Sequence, residues 1–302
     1  MNEDALVWNV VFTPGTFRYL RRLTESLAEH TSGRLRLVAN GCPPDERDAI
    51  RDAASDRVTA YALPGRQMLT HGRALDHLFD AFDDGDAFCF VDSDVLARSA
   101  WVPPLLAALD DRAGVTSGDV SWTDDTVLPP GAEDLAGRHA IGADGFVYGS
   151  SYLALYRRAA VAEVRTRYGV TFTPYAHDRL DPTVRAVLEN RGRTFRLYDT
   201  AKVLNLLLHA DGGAIAHVPD PALLHLGGIS QFLSNPDAPL TRAGAGVRRH
   251  DFAAWAAAVL VALADGDAPP PEPADVDEGV AAEVVAALTA LFGRGPHETP
   301  RR

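Results

Sequence analysis

The sequence predicts an α/β protein built on a mostly parallel sheet flanked by helices. Two observations predict it. Short apolar, β-rich runs alternate four times with segments of helical spacing, the pattern of βαβ units with right-handed crossovers. The fourth run, Ala87-Phe88-Cys89-Phe90-Val91, is apolar throughout, as expected of a strand covered on both faces. With 302 residues, 46% of them hydrophobic, the chain can bury one large core or two modest ones.

The elements follow in order. Val7 to Phe12 is strand-like and is broken by Pro14-Gly15. Thr16 is placed to cap a helix carrying Tyr19, Leu20, Leu23 and Leu27 on one face. Leu35 to Ala39 is a second strand, and Asp45 opens a polar helix through Ala54. Val58 to Leu63 is a third strand, stopped by Pro64-Gly65. Thr70 or His71 begins a helix through Leu75, Leu78, Phe79 and Phe82. The fourth strand then runs into Asp92-Ser93-Asp94. No Gly-x-Gly-x-x-Gly follows the first strand, so a dinucleotide fingerprint is absent.

The second half is less regular. Trp101 to Leu109 is a helix with Pro103-Pro104 in its first turn, and Val115 to Trp122 is strand-like. Thr123 to Asp144, rich in Asp, Gly and Pro, is expected to be a substrate-side loop. Phe146 to Tyr156 is apolar and aromatic, and a helix follows to Tyr168. Asp181 to Asn190 has a helical pattern with Pro182 in its first turn, and Phe195 to Tyr198 is a strand. Residues 264–277 form a Pro/acid linker between a main unit, 1–263, and a terminal helix and tail, 278–302. Within the unit, about 1–100 forms one half and 101–263 the other. The amphipathic stretch Val280 to Phe292 should pack on the body or on a second copy, giving a homodimer.

Composition excludes several classes. Lys+Arg is 29 against 41 for Asp+Glu, a formal charge of -12, which argues against a nucleic-acid partner. Only Lys202 among those bases is a lysine. Cys42 and Cys89 lie in or beside apolar strands and read as core residues, not as a disulfide or zinc site. The N-terminus lacks a basic segment followed by an apolar one, and no run approaches ~20 apolar residues. A cytoplasmic protein with no membrane span is the expectation.

The chemistry centres on Asp92 and Asp94. Ligands of open α/β sheets bind outside the carboxyl ends of strands. Side chains at i and i+2 point the same way along a strand, so Asp92 and Asp94 are expected to share a small volume there, where two carboxylates repel unless a cation or a proton compensates. Mg²⁺ or Mn²⁺, shared with a substrate phosphate, is the natural compensator.

Four segments in this order resemble the GT-A glycosyltransferases, particularly the family 2-like group, across roughly Val7 to Ser230. They are Val7-Trp8-Asn9-Val10-Val11-Phe12-Thr13-Pro14, His71-Gly72-Arg73-Ala74-Leu75-Asp76, Asp92-Ser93-Asp94, and the stretch from Leu180 to Gly192. The resemblance implies a Rossmann-like GT-A fold, with 1–263 as the catalytic unit, about 1–100 its nucleotide-sugar half and 101–263 its acceptor half, and transfer of a sugar from a nucleotide-diphosphate sugar to a small-molecule or glycan acceptor. It implies nucleotide contacts at Thr13 and Pro14, diphosphate contact at Arg73, and Asp92 on the metal or the ribose. Asp94 is the implied metal ligand, joined late in the chain by a histidine. His225, followed by Gly227-Gly228, is preferred over His209 and His217. Asp181 opens the acceptor-side helix and is the candidate general base of an inverting reaction, a helix cap, or both. His177-Asp178 is placed to meet an acceptor hydroxyl.

There are departures. The second strand of the family ends in an acid that reads the base; Ala39 stands there, and Asn40 is its nearest substitute. One acid, Asp181, replaces an expected Glu-Asp pair. The Gln-x-x-Arg-Trp signature of processive synthases is absent. Competing readings remain open: a haloacid-dehalogenase-like phosphohydrolase using Asp92, Asp94 and Lys202, a nucleotidyltransferase, and a non-catalytic nucleotide-sugar-binding homologue.

Overall fold

A computed structural model describes residues 1–117, 135–136, 152–191, 194–218, 222–234, 245–272 and 278–293, with side chains omitted at 135–136, 231 and 245–251. Most of the expected substrate-side loop from Thr123 to Asp144 lies outside the described residues, as do Gly192 and 273–277 of the expected linker.

The first half alternates as its sequence pattern requires. Strands β1 (Val7–Phe12), β2 (Arg34–Ala39), β3 (Val58–Ala62) and β4 (Ala87–Val91) are separated by helices α1 (Phe17–Glu29), α2 (Pro44–Asp52) and α3 (His71–Ala81). A short β5 (Val95–Ala97), α4 (Val102–Leu109), β6 (Gly114–Ser117) and β7 (Leu135–Ala136) follow. Then come β8 (Leu153–Arg157), α5 (Arg158–Tyr168), β9 (Tyr175–Ala176), α6 (Pro182–Asn190) and β10 (Leu197–Tyr198). The chain continues through α7 (Lys202–Ala210), β11 (Ile215–Val218), β12 (Leu223–His225), α8 (Ser230–Ser234), α9 (Ala245–Asp265) and α10 (Glu278–Gly293).

Among the described residues, the central sheet has seven strands in the order β11-β6-β8-β4-β1-β2-β3. Only β8 runs against the others, pairing antiparallel with both β4 and β6. The chain moves outward from β1 to β2 and β3, then returns to place β4 on the other side of β1. The strand order therefore reverses between β1 and β4, where such sheets open a crevice at their carboxyl ends.

Side-chain alternation divides the core in two. Trp8, Val10, Phe12, Cys89 and Val91 face a cluster built with α1, α4, α9 and α10. Phe88 and Phe90 face a second cluster built with α3, α5, α6 and α7. The sheet is thus covered on both faces, which is why β4 carries no polar residue. Cys42 and Cys89 are free and buried, and burial pushes the Cys42 thiol up to about 12.

Thr16 sits at the cap position of α1, but its hydroxyl donates to the Thr13 carbonyl instead of accepting from the helix. The cap comes from α2. The Glu46 carboxylate accepts from Gly15 N–H at 2.8 Å and from Phe17 N–H at 2.9 Å. An acidic side chain of the protein thus fills the anion position that a Gly-rich loop would offer to a phosphate. Glu46→Ala should cost about 1–2 kcal/mol, because two amides at the start of α1 lose their acceptor. Denaturant unfolding measures this, and an unchanged midpoint would show that water serves the amides equally well.

The terminal helices belong to the same body. The expected linker start at Ala264 falls in the last turn of α9, which ends at Asp265. Of the two seats left open for the last helix, α10 takes the body: Ala281, Val284 and Leu288 are buried in the core shared with α1 and α9. No helix of the described residues is long and apolar enough to cross a membrane.

Candidate metal centre

The apolar run of β4 ends at Val91, and Asp92 and Asp94 lie in the turn between β4 and β5. They therefore do not stand on one face of a strand, as simple alternation would have placed them. Pairing between distant segments aims them. Strand β12 runs antiparallel to β5, with His225 opposite Val95, and Leu226 N–H donates to the Asp94 carbonyl at 3.0 Å. His225 Nε2 thereby comes to 3.3 Å from Asp94 Oδ1 and 4.0 Å from Asp92 Oδ2. One ligand atom from each of Asp92, Asp94 and His225 lies within 4.8 Å of the others.

The antiparallel β8 supports this centre because its first residues lie at the carboxyl end of β4. Asp92 N–H donates to the Tyr152 carbonyl at 2.7 Å, and the Tyr152 ring stacks on His225 with centroids 3.9 Å apart. The other oxygen of Asp94, Oδ2, accepts from Gly228 N–H at 2.9 Å and Ile229 N–H at 3.3 Å. Gly227 and Gly228 adopt positive φ angles of 68° and 76°, which turn the chain after His225 so that these amides face the carboxylate.

The electrostatics fit a cation. Burial pushes the Asp92 carboxyl well above the usual carboxylate range, and Asp94 and Asp199 add to the effect. Burial acts on Asp94 in the same sense. His225 and the amides of Gly228 and Ile229 outweigh it and bring that carboxyl below its ordinary value. Burial lowers His71, which the charges of Asp199 and Asp94 partly offset. Two carboxylates and an imidazole, clustered where negative charge is under-compensated, are a donor set suited to Mn²⁺ or Mg²⁺.

The remaining expected residues fall in several places. Thr13 and Pro14 follow β1 at the same crevice, half-buried, and Thr13 Oγ1 lies 3.2 Å from Ser234 Oγ of α8. Arg73 is exposed on the first turn of α3. Asn40 is buried, and its amide clasps the main chain of Leu69, accepting from the N–H at 2.8 Å and donating to the carbonyl at 2.9 Å. It ties the loop after β3 to the end of β2. Asp181 caps α6, its Oδ1 accepting from Thr183 N–H at 2.8 Å, and is exposed. His177 is held between Tyr198 Oη at 3.0 Å and Glu189 at 3.1 Å, while Asp178 is exposed. His217 meets Thr116 at 3.2 Å, His209 lies half-buried on α7, and neither joins the cluster. Lys202 is buried in the first turn of α7.

Three contributors carried no expected role in the sequence: His71, Tyr152 and Asp199. His71 had a signal, since it opens the helix leading into β4. Tyr152 lay in a run whose aromatic character equally describes core.

No protein-family model and no curated protein matches the chain. Among solved structures, an active-site mutant of LgtC is 16% identical, covering 94% of this chain and 95% of its own, with a TM-score of 0.45. GlyE of Streptococcus pneumoniae, a glycosyltransferase, is 14% identical over 70% of this chain and 44% of its own, with a TM-score of 0.39. The 4-diphosphocytidyl-2C-methyl-D-erythritol synthase of Anaerococcus prevotii is 11% identical over 70% of this chain and 89% of its own, with a TM-score of 0.38. At such scores the residues of the crevice, not these likenesses, carry the functional argument.

Proposed function

We propose that the chain is a metal-dependent, GT-A-type glycosyltransferase that moves a sugar from a nucleotide-diphosphate sugar to an acceptor hydroxyl. The observation carrying this reading is the Asp92, Asp94 and His225 cluster beside the point where strand order reverses. Asp92, Asp94 and His225 would hold the ion, and the imidazole favours Mn²⁺ over Mg²⁺. When bound, the cation neutralises charge building on the leaving diphosphate.

The protein's own residues do the rest. Thr13 and Pro14 line the nucleotide side, and Arg73 meets the diphosphate from α3. Asn40 serves the base side by fixing the loop at Leu69. Its amide engages that main chain on both its nitrogen and its oxygen, which supports an indirect role. Asp181 accepts the proton of the acceptor hydroxyl in an inverting, non-processive transfer. It stands exposed at the start of α6. The acceptor is a small molecule or a glycan.

A panel of nucleotide sugars tested by thermal shift, with and without Mn²⁺, checks the reading. A donor at 100 times its Kd should add about 2.7 kcal/mol of stability, and only with the metal present. Phosphate release from simple phosphomonoesters, without nucleotide-sugar turnover, would favour the phosphohydrolase instead.

A further inference from the structure

Each carboxylate of the centre offers one oxygen to His225 and has its other oxygen elsewhere. For Asp94 the second oxygen is fixed by the amides of Gly228 and Ile229. For Asp92 the second oxygen, Oδ1, faces His71 Nε2 at 3.6 Å. We propose that His71 is the positioning residue for Asp92. It holds Oδ1 as the two amides hold Asp94 Oδ2, so that Oδ2 of Asp92 stays directed toward His225 and the ion. The inference rests on the metal reading above and names a residue outside the ligand set.

The placement of His71 is built by the fold. It is the first residue of α3, and its ring meets Phe90 of β4 edge-on, with centroids 5.7 Å apart and planes at 88°. The next residue, Gly72, lies so close to the segment after α5 that a Cβ there would come within 2.5 Å of the Phe172 carbonyl oxygen. The lack of a side chain lets the first turn of α3 settle against that segment, which sets His71 beside Asp92. His71 and Asp92 keep equal side-chain exposures of 31%, so both border the crevice and are not sealed in the core. Closing 3.6 Å to the ~3.0 Å of an N–H···O bond takes a movement of about half an ångström, and the tautomer protonated on Nε2 supplies the donor. His71 is not itself a ligand: the ligand atoms within 4.8 Å of one another come from Asp92, Asp94 and His225 alone among the described residues. Residues that orient metal ligands are typically worth ~10–100-fold in metal affinity.

The test is Mn²⁺ affinity of the full chain, read from the electron paramagnetic resonance signal of free Mn²⁺ without any sugar donor. His71→Phe keeps a ring against Phe90 and removes the donor, whereas His71→Gln keeps an N–H at similar reach. The expected result is an Mn²⁺ Kd raised at least ~10-fold in His71→Phe, restored to within ~3-fold of the parent in His71→Gln, with melting temperatures alike. Parent-like Mn²⁺ binding by His71→Phe overturns the inference. So does an equal loss in His71→Gln, which also decides the matter if the phenylalanine variant does not fold. Failure of the parent protein to bind Mn²⁺ overturns the metal reading itself and is distinguishable from both.

Discussion

Asp94→Ala should abolish metal-dependent nucleotide binding and sugar transfer together. The two oxygens of Asp94 have separate tasks: Oδ1 faces His225 at 3.3 Å, and Oδ2 receives the amides of Gly228 and Ile229. Alanine removes both. It leaves the amides without their acceptor, which costs about 1–3 kcal/mol where they are shielded from water. It also deletes a carboxylate from the proposed set of three ligands. Asp94→Asn separates the tasks, since its carbonyl oxygen can still accept from the amides while the charge is lost. The asparagine variant should therefore melt near the parent and still bind Mn²⁺ poorly, with no nucleotide-sugar turnover. Titration calorimetry with Mn²⁺, then with donor, checks this. Parent-like Mn²⁺ binding by Asp94→Asn would remove Asp94 from the ligand set.

The second large effect is expected at Asp181. Its carboxylate caps α6 through Thr183 N–H at 2.8 Å, so stability and chemistry must be measured apart. Asparagine is as good a cap as aspartate but is not a base. If Asp181 takes the proton from the acceptor, Asp181→Asn should lower kcat by ~10²-fold or more, with donor binding and melting temperature near those of the parent. A mere cap would leave Asp181→Asn nearly silent in turnover. A near-parent rate would dismiss Asp181 as base and point to a retaining reaction, in which no dedicated base is needed.

The sequence by itself determined whatever local pattern controls. Strands β1 to β4 and the three helices between them appear in the fold within a residue or two of their expected boundaries at most ends, because apolar spacing and Pro-Gly breaks act over short stretches. The helix after Asp181 is legible for the same reason: an acid at the cap and a proline in the first turn act within four residues. Helices α7 and α9 carry no such signal. Lys202–Ala210 is buried on nearly every side, so no polar face marks a helical period. The Ala-rich second half of α9 is similarly uniform.

The site divides along the same line. Asp92 and Asp94 stand out because acids abruptly follow an apolar strand. Asn40 is at a position that sequence order singles out, yet its amide is engaged by Leu69, which only the packing of the β3–α3 loop on β2 could decide. Tertiary structure alone joins β12 to β5 and so brings His225 to Asp94, and it alone brings the first turn of α3, with His71, to Asp92. Such juxtapositions are set by strand order and by close approach at Gly72, between segments far apart in the chain, where no residue periodicity records them.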